Sequence, residues 1–599
     1  MACGEALEPT VFLKGVDKPA PDAGTPIKFG TGDARPGDVG PRPDPGPYDN
    51  SVQYTDFMAA PVSDTRAGSA APIGAAAAFG ATPVSTVTAS APLCVFEPEA
   101  NVRYPRNWIA PRISFSVADA ESNVVEVRVK AGNQTNDSVY VSALTVKAGT
   151  GSWVMSDDVW ELLRTHSYDK SLSFTVRTAY LPPNGTSLSK VSAPFVIDTG
   201  ILPVAADGSI VYFSSSTGTL NGISVGTENK PPSSIASFGV LRGEDVKQRT
   251  GKAKCVGCHT ETPDANFVMA STKTEGGETD TNDWYGSAIA RVNANEGSSF
   301  GAVPTEFSIS PLASAEMARG VGGTATSKGA WSPGQRLVLG WFGSKGNPAW
   351  AGDRKLRTVN LESGMAADVP TGGGKRGAMP VWSSDAKTIL YTAIDEVKDG
   401  RLGNEGYSPT VQRPTLAADI YQLQYNAGAG GTATGVPGAA SPTVQEFYPA
   451  LSSDDSLLAF NSAPYENGGA PDVMWNPHST VQILKRSGST PEPLEANKAM
   501  SCPSGTVSSD NQSNRWPKWA PGFKTGPKGE KVYFVVFSSA RRSAHAQLYV
   551  SPVVVASDGS VSSFGALYMR AQNPETSNHT PVWSGGKVES NPNIDVSVK

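Results

Sequence analysis

The sequence is poor in histidine, cysteine and charged residues. It holds 5 His and 5 Cys in 599 residues, and charged residues make up 18% of it, against a usual share of about a quarter. No basic cluster is long enough to follow a phosphate backbone and the formal net charge is −6, so nucleic-acid binding is not expected. No apolar run approaches the roughly 20 residues that span a bilayer, so no transmembrane helix is expected.

The sequence also lacks the patterns of common hydrolases. No Ser-His-Asp order, phosphate-binding loop or paired-carboxylate motif is present. Turn-forming residues are abundant instead, with 62 Gly and 47 Pro, and Leu-rich helical stretches are few. This composition predicts an all-β chain, and the length predicts two to four structural units.

Residues 1–92 show little periodicity. Residues 18–48 are rich in Pro, Gly and Asp, and residues 67–91 form an Ala/Ser/Thr/Val/Pro tract with almost no charge. Such composition buries too little apolar surface to offset chain entropy, which predicts a disordered tether. The start, Met1-Ala-Cys3-Gly, resembles the junction at which bacterial lipoproteins are lipidated. Cys3 is therefore a candidate lipid anchor, with a chance cysteine as the alternative.

Residues 93–200 show apolar/polar alternation, with turn residues about every ten positions. Strands are expected at 113–117, 124–129, 139–141 and 172–177. The pattern predicts a β-sandwich of the immunoglobulin or fibronectin III type, acting as a spacer or docking unit. Trp108, Trp153 and Trp160 are its expected core or rim aromatics.

A repeat runs through residues 201–599. Its form is Pro-x-Trp-Ser-x-Asp/Gly, a tight turn and an apolar strand, with copies at 330–339, 381–390, 450–459 and 518–536 and a degenerate copy at 258–271. A sixth copy is split between 580–584 and 207–213, which would close the ring and remove its open edges. The repeat resembles the blade of TolB-like propellers, so a six-bladed β-propeller is expected.

One motif carries specific chemistry, Cys255-Val-Gly-Cys-His259. Two thiols at this spacing add across the vinyl groups of haem, and the adjacent imidazole becomes the proximal iron ligand. The alternatives are a CxxC disulfide and half of a zinc site. Because no second Cys/His pair lies nearby in sequence, we expect covalent haem c bound by Cys255, Cys258 and His259.

The segments that enter the innermost strands of a propeller converge on one mouth of its channel. The haem motif precedes the first strand of its blade, in the position that Met379, Tyr448, Trp516 and His579-Thr580 hold elsewhere. The closing blade neighbours the motif, so His579 is expected to be the distal iron ligand or to support the haem, unless it only caps its strand. Met379 and His478 are alternative iron ligands.

Two further groups of residues have candidate roles. Cys94 and Cys502 remain for one disulfide, although free buried cysteines are an alternative. A Gly-rich loop offers carboxylates that could bind calcium, although such carboxylates are usually only solvated; they are Asp395, Asp399 and Glu405.

Propeller repeats with CxxCH before a blade, after a sandwich entered by Tyr104-Pro-Arg-Asn-Trp108, resemble exported proteins of myxobacteria-like Gram-negative bacteria. The propeller is also similar to the haem-bearing middle domain of hydrazine synthase alpha subunits. This resemblance implies a haem at the propeller mouth on Cys255, Cys258 and His259. It does not imply hydrazine chemistry, because that enzyme uses partner subunits and further haems.

Two functions follow as hypotheses. The first is a monohaem c-type cytochrome-like protein that transfers electrons to a redox partner protein or acts on a small ligand, with oxidoreductase activity left open. The second is a non-enzymatic binding propeller with a structural haem or metal. Either would lie in the periplasm or on the outer face of the outer membrane, held there by lipid, because haem attachment of this kind requires export.

Overall fold

The computed structural model of the chain describes residues 57, 60–82, 93–117, 119–214, 219–226, 233–234, 247–248, 251–274, 285–291, 307–317, 324–342, 355–371, 375–395, 418–464, 476–498, 512–543 and 545–585. For some of them, residues 251–258 included, only the backbone is described. Within these ranges the chain is mostly β, and no helix is long and apolar enough to cross a membrane.

The N-terminal unit contains two sheets. Nine strands and two helices build it: β1 (Val62–Ser63), α1 (Ala75–Gly80), β2 (Cys94–Glu97), β3 (Val102–Tyr104), β4 (Arg112–Ser116), β5 (Val124–Ala131), β6 (Ser138–Ala143), β7 (Thr150–Val154), α2 (Asp157–His166), β8 (Ser171–Ala179) and β9 (Phe195–Ile201). One sheet has the order β1-β6-β5-β8-β9-β3 and the other β2-β4-β7. Trp108, Trp153 and Trp160 are buried in or against its core.

The expectation of a disordered tether is wrong for residues 60–82. Strand β1 pairs in parallel with β6, and Ala75 and Phe79 of α1 are fully buried. The Arg177 guanidinium donates hydrogen bonds to the carbonyls of Phe79 and Thr82 and pairs with the buried Glu126 carboxylate. Composition did not reveal this docking, because the apolar surface that α1 covers is supplied by the sandwich.

The C-terminal part of the described chain forms six consecutive sheets. Sheet 1 contains β10 (Ser209–Ser214), β11 (Thr219–Ser224), β12 (Ser233–Ser234) and, from the far end of the chain, β34 (Asn578–Ser584). Sheet 2 contains β13 (Lys247–Gln248), β14 (Gly251–Glu261), β15 (Phe267–Thr274) and β16 (Tyr285–Arg291). After α3 (Pro311–Met317), sheet 3 contains β17 (Leu337–Phe342), β18 (Lys355–Asn360) and β19 (Ala366–Asp368).

Sheets 4 to 6 follow the same plan. Sheet 4 contains β20 (Lys375–Trp382), β21 (Thr388–Asp395), β22 (Ala418–Gln424) and β23 (Thr434–Gly435). Sheet 5 contains β24 (Val444–Leu451), β25 (Leu457–Pro464), β26 (Thr480–Lys485) and β27 (Glu492–Pro493). Sheet 6 contains β28 (Arg515–Trp519), β29 (Lys524–Thr525), β30 (Lys531–Ser539), β31 (Gln547–Val555), β32 (Val561–Ser563) and β33 (Leu567–Tyr568).

The first strands of these sheets contact one another in succession. Strand β20 touches β24, β24 touches β28, β28 touches β34, and β34 touches β14. In sheet 3 the segment around Ala325 takes the inner place, through backbone hydrogen bonds to Leu339, and β17 touches β20. This succession makes the arrangement propeller-like.

The two parts of the molecule share one hydrophobic core. Side chains from the sandwich, among them Trp108 and Trp160, belong to the same buried cluster as Tyr212 of sheet 1 and Phe534 of sheet 6. The sandwich therefore lies where the first and last sheets meet. Of the two roles expected for it, spacer or docking unit, this packing favours the docking unit.

Candidate functional site

The CxxCH motif lies inside β14, the inner strand of sheet 2. We expected it just before the first strand of its sheet, and the structure corrects that position. Backbone pairing with β15 continues through the motif, with Cys255 opposite Lys273 and Gly257 opposite Ser271. The side chains of Cys255 and Cys258 lie outside the described part of the structure.

A β-bulge marks the same place in five of the inner strands. The register shifts by one residue between Gly257 and His259, and equivalent shifts occur in β20, β24, β28 and opposite β10. In four strands the bulge holds a non-glycine residue at φ of 46° to 55°: Met379, Tyr448, Trp516 and Thr580. Cys258 holds the corresponding place in β14. Bulges of this kind redirect side chains and are frequent next to functional sites.

His259 is buried, at 7% exposure, between β14 and β10. Its Nε2 lies 3.0 Å from the Val211 carbonyl oxygen, and its Nδ1 has no hydrogen-bond partner among the described residues. Burial, together with the positive charge of Lys518, lowers the pKa of His259 to about 4 despite the opposing effect of the Val211 hydrogen bond. The imidazole is therefore neutral at pH 7, which is the state that binds metals.

His579 lies on β34, opposite Phe213, and is 1% exposed. Its ring stacks on Trp516 at a centroid distance of 4.8 Å and meets the Phe213 ring edge-on at 5.2 Å. Burial holds the pKa of His579 well below its usual value, and the positive charge of Arg515 adds to this effect. The structure thus places the two buried histidines that the sequence suggested on neighbouring strands, β14 and β34.

An aromatic row continues from His579 into sheets 6 and 5. Trp516 lies 5.6 Å from Tyr448, measured between ring centroids. The strained backbone of each residue is held by a side chain from the preceding sheet, because Asn461 accepts the Trp516 N–H and Thr392 accepts the Tyr448 N–H. Left-handed backbone in bulky residues costs roughly 1–3 kcal/mol and is concentrated at functional sites.

Sequence reasoning missed the residues that support this row. Arg515 and Lys518 supply the positive field, and Asn461 and Thr392 hold the bulges. The sequence contained a signal for Asn461 and Thr392. Each is a buried polar residue in the middle of a largely apolar second strand, where a buried polar group requires a hydrogen-bond partner.

The other candidate ligands are placed differently. Met379 packs against the apolar cluster of sheets 3 and 4, and His478 is exposed. Cys94 is buried and disulfide-bonded, whereas Cys3, Cys502, Asp399, Glu405 and the side chain of Asp395 lie outside the described residues. Within the described ranges, no group of three or more His, Cys, Asp or Glu side chains forms a metal cluster.

Of the donors that c-type haem requires, the structure describes the side chain of His259. Covalent attachment needs two thiols and a neutral imidazole with one ring nitrogen available to the iron. His259 is neutral and has an unbonded Nδ1 among the described residues, while Val211 engages Nε2. Binding iron through Nε2 would require the imidazole to give up its contact with the Val211 carbonyl oxygen.

No protein-family model matches the chain, and no curated protein sequence is similar to it. Among solved structures, oligogalacturonate lyase from Vibrio parahaemolyticus is 11% identical, covers 65% of this chain and 88% of its own, and has a TM-score of 0.31. Hydrazine synthase from Kuenenia stuttgartiensis is 10% identical over 53% of this chain and 74% of its own, with a TM-score of 0.24. These low scores carry no argument about function.

Proposed function

We propose that the protein is an exported monohaem c-type cytochrome-like propeller. Cys255 and Cys258 would form the thioether bonds, and His259 would be the proximal iron ligand. His579 would fill or control the sixth position of the iron. When bound, the haem supplies one-electron redox chemistry, and it supplies an external ligand site if His579 leaves the iron. The observation that carries this proposal is the CxxCH motif itself, with a buried neutral histidine at its end.

The proposed scaffold is a six-bladed TolB-like propeller behind an immunoglobulin- or fibronectin-like sandwich. Six consecutive sheets support the blade count, and so do hydrogen bonds that link them around a ring. Thr326 Oγ1 donates to the Glu261 carbonyl, and Ser384 N donates to the Asp455 carboxylate. A ring that closes is also supported by the Ser584 Oγ at the end of β34, which donates to the Glu261 carboxylate of sheet 2 at 2.6 Å.

The proposed location is the periplasm or the outer face of the outer membrane, with Cys3 as a lipid anchor. Its partner would be a redox protein or a small ligand. The disulfide at Cys94 supports an oxidising compartment, because stable disulfides are typical of exported proteins. We propose Cys502 as the partner of Cys94.

A second candidate function is a non-enzymatic binding propeller with a structural metal. The contact between His259 Nε2 and Val211 favours it, because that contact leaves the imidazole in a closed, packed setting. His579, buried on the neighbouring strand β34, would be the second histidine of a Cys/His zinc site, and sequence spacing alone did not show this.

The test is to export the protein in a host with haem-maturation machinery and to record absorption spectra of the oxidised and reduced forms. A pyridine haemochrome assay counts haem per chain. We expect one haem c per chain, lost in the double variant Cys255→Ser/Cys258→Ser and retained in His478→Ala, which removes an exposed histidine. Carbon monoxide should bind His579→Ala more readily than the wild type if His579 is the sixth ligand.

A maturation-competent host that yields folded protein without a Soret band would overturn the cytochrome proposal. Metal analysis of the same sample then separates the two remaining readings of the motif. Stoichiometric zinc, lost in His259→Ala, would support the structural-metal function. Absence of both haem and metal would leave CxxC as a disulfide.

A further inference from the structure

The sandwich holds the connector to sheet 1 by a continuous set of hydrogen bonds. Strands β3 and β9 pair in parallel, and the pairing extends beyond both strand ends. Leu202 N donates to the Tyr104 carbonyl at 2.8 Å, and Arg106 N donates to the Val204 carbonyl at 2.9 Å. The segment Tyr104–Trp108, which the sequence made conspicuous, therefore lies along residues 202–206.

Asn107 completes this set with its side chain. Its Nδ2 donates to the Ala206 carbonyl at 2.6 Å, and its Oδ1 accepts the Ala206 N–H at 2.9 Å. Asn107 is 3% exposed, so the amide makes both bonds away from water. Buried backbone groups left without partners are costly, and Ala206 lies between β9 and β10, outside the strands of the described chain.

The next residues of the connector hold the end of β34. The Trp583 indole N–H donates to the Asp207 carbonyl at 2.8 Å. Gly208 has φ of 96°, and a Cβ at this residue would lie 2.1 Å from the Ser584 carbonyl oxygen. Strand β34 is thus fitted against the connector on one side and paired with β10 on the other.

We infer that Asn107 is a positioning residue for His579. The path runs from the Asn107 amide to Ala206, through Asp207 to Trp583, and along β34 to His579 four residues earlier. The sandwich thereby sets the position of the pairing between β10 and β34, which we call the seam. With the seam it sets the position of the His579 imidazole at the candidate site. This inference does not depend on whether haem is bound, and it gives the sandwich a role in the site.

The test compares Asn107→Ala with Asn123→Ala in the full chain. Asn123 is the control, because its side-chain amide makes the same two hydrogen bonds to a backbone residue within the sandwich. Its Nδ2 donates to the Leu181 carbonyl at 2.9 Å, and its Oδ1 accepts the Leu181 N–H at 2.8 Å. Hydrogen exchange of β10 and β34 reports the seam. NMR signals of the imidazoles report His579, which can be assigned with a His579→Gln variant because the chain has 5 histidines.

We expect Asn107→Ala to speed exchange at the seam about tenfold or more, as the loss of two buried hydrogen bonds implies. It should also shift the His579 signals, whereas Asn123→Ala should change neither. Equal effects of the two variants, or an unchanged seam in Asn107→Ala, would overturn the inference.

Trp583→Phe provides a second route to the same answer if Asn107→Ala does not fold. It removes the indole donor to Asp207 while keeping an aromatic ring, and it should loosen the seam and shift the His579 signals. Where both variants fold, the double variant should loosen the seam less than the sum of the single effects, because both act through one connector. The proposed path would be contradicted if the effects of the two substitutions on exchange at the seam were fully additive. It would also be contradicted if Trp583→Phe changed neither that exchange nor the His579 signals.

Discussion

Glu446 is a buried carboxyl group that makes few hydrogen bonds. It is 2% exposed, and its described partner is the Ser441 N–H, at 3.3 and 3.2 Å from its two oxygens. Burial raises its pKa to about 8, and Asp419 adds to the rise. The folded chain keeps this proton above pH 4.5 while the unfolded chain loses it, so the free energy of unfolding must fall between about pH 4.5 and 8.

We expect Glu446→Gln to remove this part of the pH dependence. Relative to the wild type, the variant should gain roughly 1–3 kcal/mol of stability at pH 8 compared with pH 5. Denaturant unfolding at the two pH values measures the difference. Glu492→Gln, at an exposed position of the same sheet, should leave the pH slope unchanged. If the free energy of unfolding of Glu446→Gln changed with pH as much as that of the wild type, the pH dependence could not be assigned to the Glu446 carboxyl group.

At the scale of the element, the repeated turn was the most predictable feature. In sheets 2, 4 and 5 a Ser or Thr hydroxyl donates to an Asp two residues later and accepts a backbone N–H five residues on, starting from Thr262, Ser383 and Ser452. Because these contacts are local, sequence spacing was enough to place the degenerate copy in phase. The bulges were predicted less well, since they depend on side chains from the preceding sheet.

The same turn has a second role in sheet 5. Asp454 Oδ2 accepts hydrogen bonds from Lys531 Nζ and Tyr533 OH, at 2.9 and 2.8 Å, which link sheet 5 to sheet 6. The Asp385 hydrogen bonds and its ion pair with Lys387 stay within its own turn. Asp454→Ala should therefore cost about 1–3 kcal/mol and Asp385→Ala less than about 1 kcal/mol, as measured by denaturant unfolding. Equal losses would show that the link between the sheets contributes nothing.

At the scale of the whole molecule, sequence patterns predicted β-structure but not how its parts meet. The Arg541 guanidinium of sheet 6 donates to the Glu99 carboxylate at 2.6 Å, across 442 residues of chain, and both side chains are buried. No local pattern marks such a pair, because each residue alone is typical of a solvated surface. For the same reason, the docking of residues 60–82 and the contact between β14 and β34, the strands of His259 and His579, become visible only when the chain is folded.

The shared core and this buried ion pair predict that sandwich and ring unfold together. Arg541 also donates to the Ala496 carbonyl and to Asn514 Oδ1. Arg541→Met would remove these bonds and leave the buried Glu99 carboxylate with Arg542, at 3.5 Å, as its cation, at a cost of about 2–4 kcal/mol. Calorimetry should show one unfolding transition, at a lower temperature in the variant. Hydrogen exchange should show an equal loss of amide protection in β5 of the sandwich and in β30 of the ring. Arg128→Met, which removes a partly exposed partner of Glu126 within the sandwich, controls for loss of an arginine. If β5 kept its wild-type protection in Arg541→Met while β30 lost it, the two parts would be independent units, and the sandwich could not set the geometry of the seam.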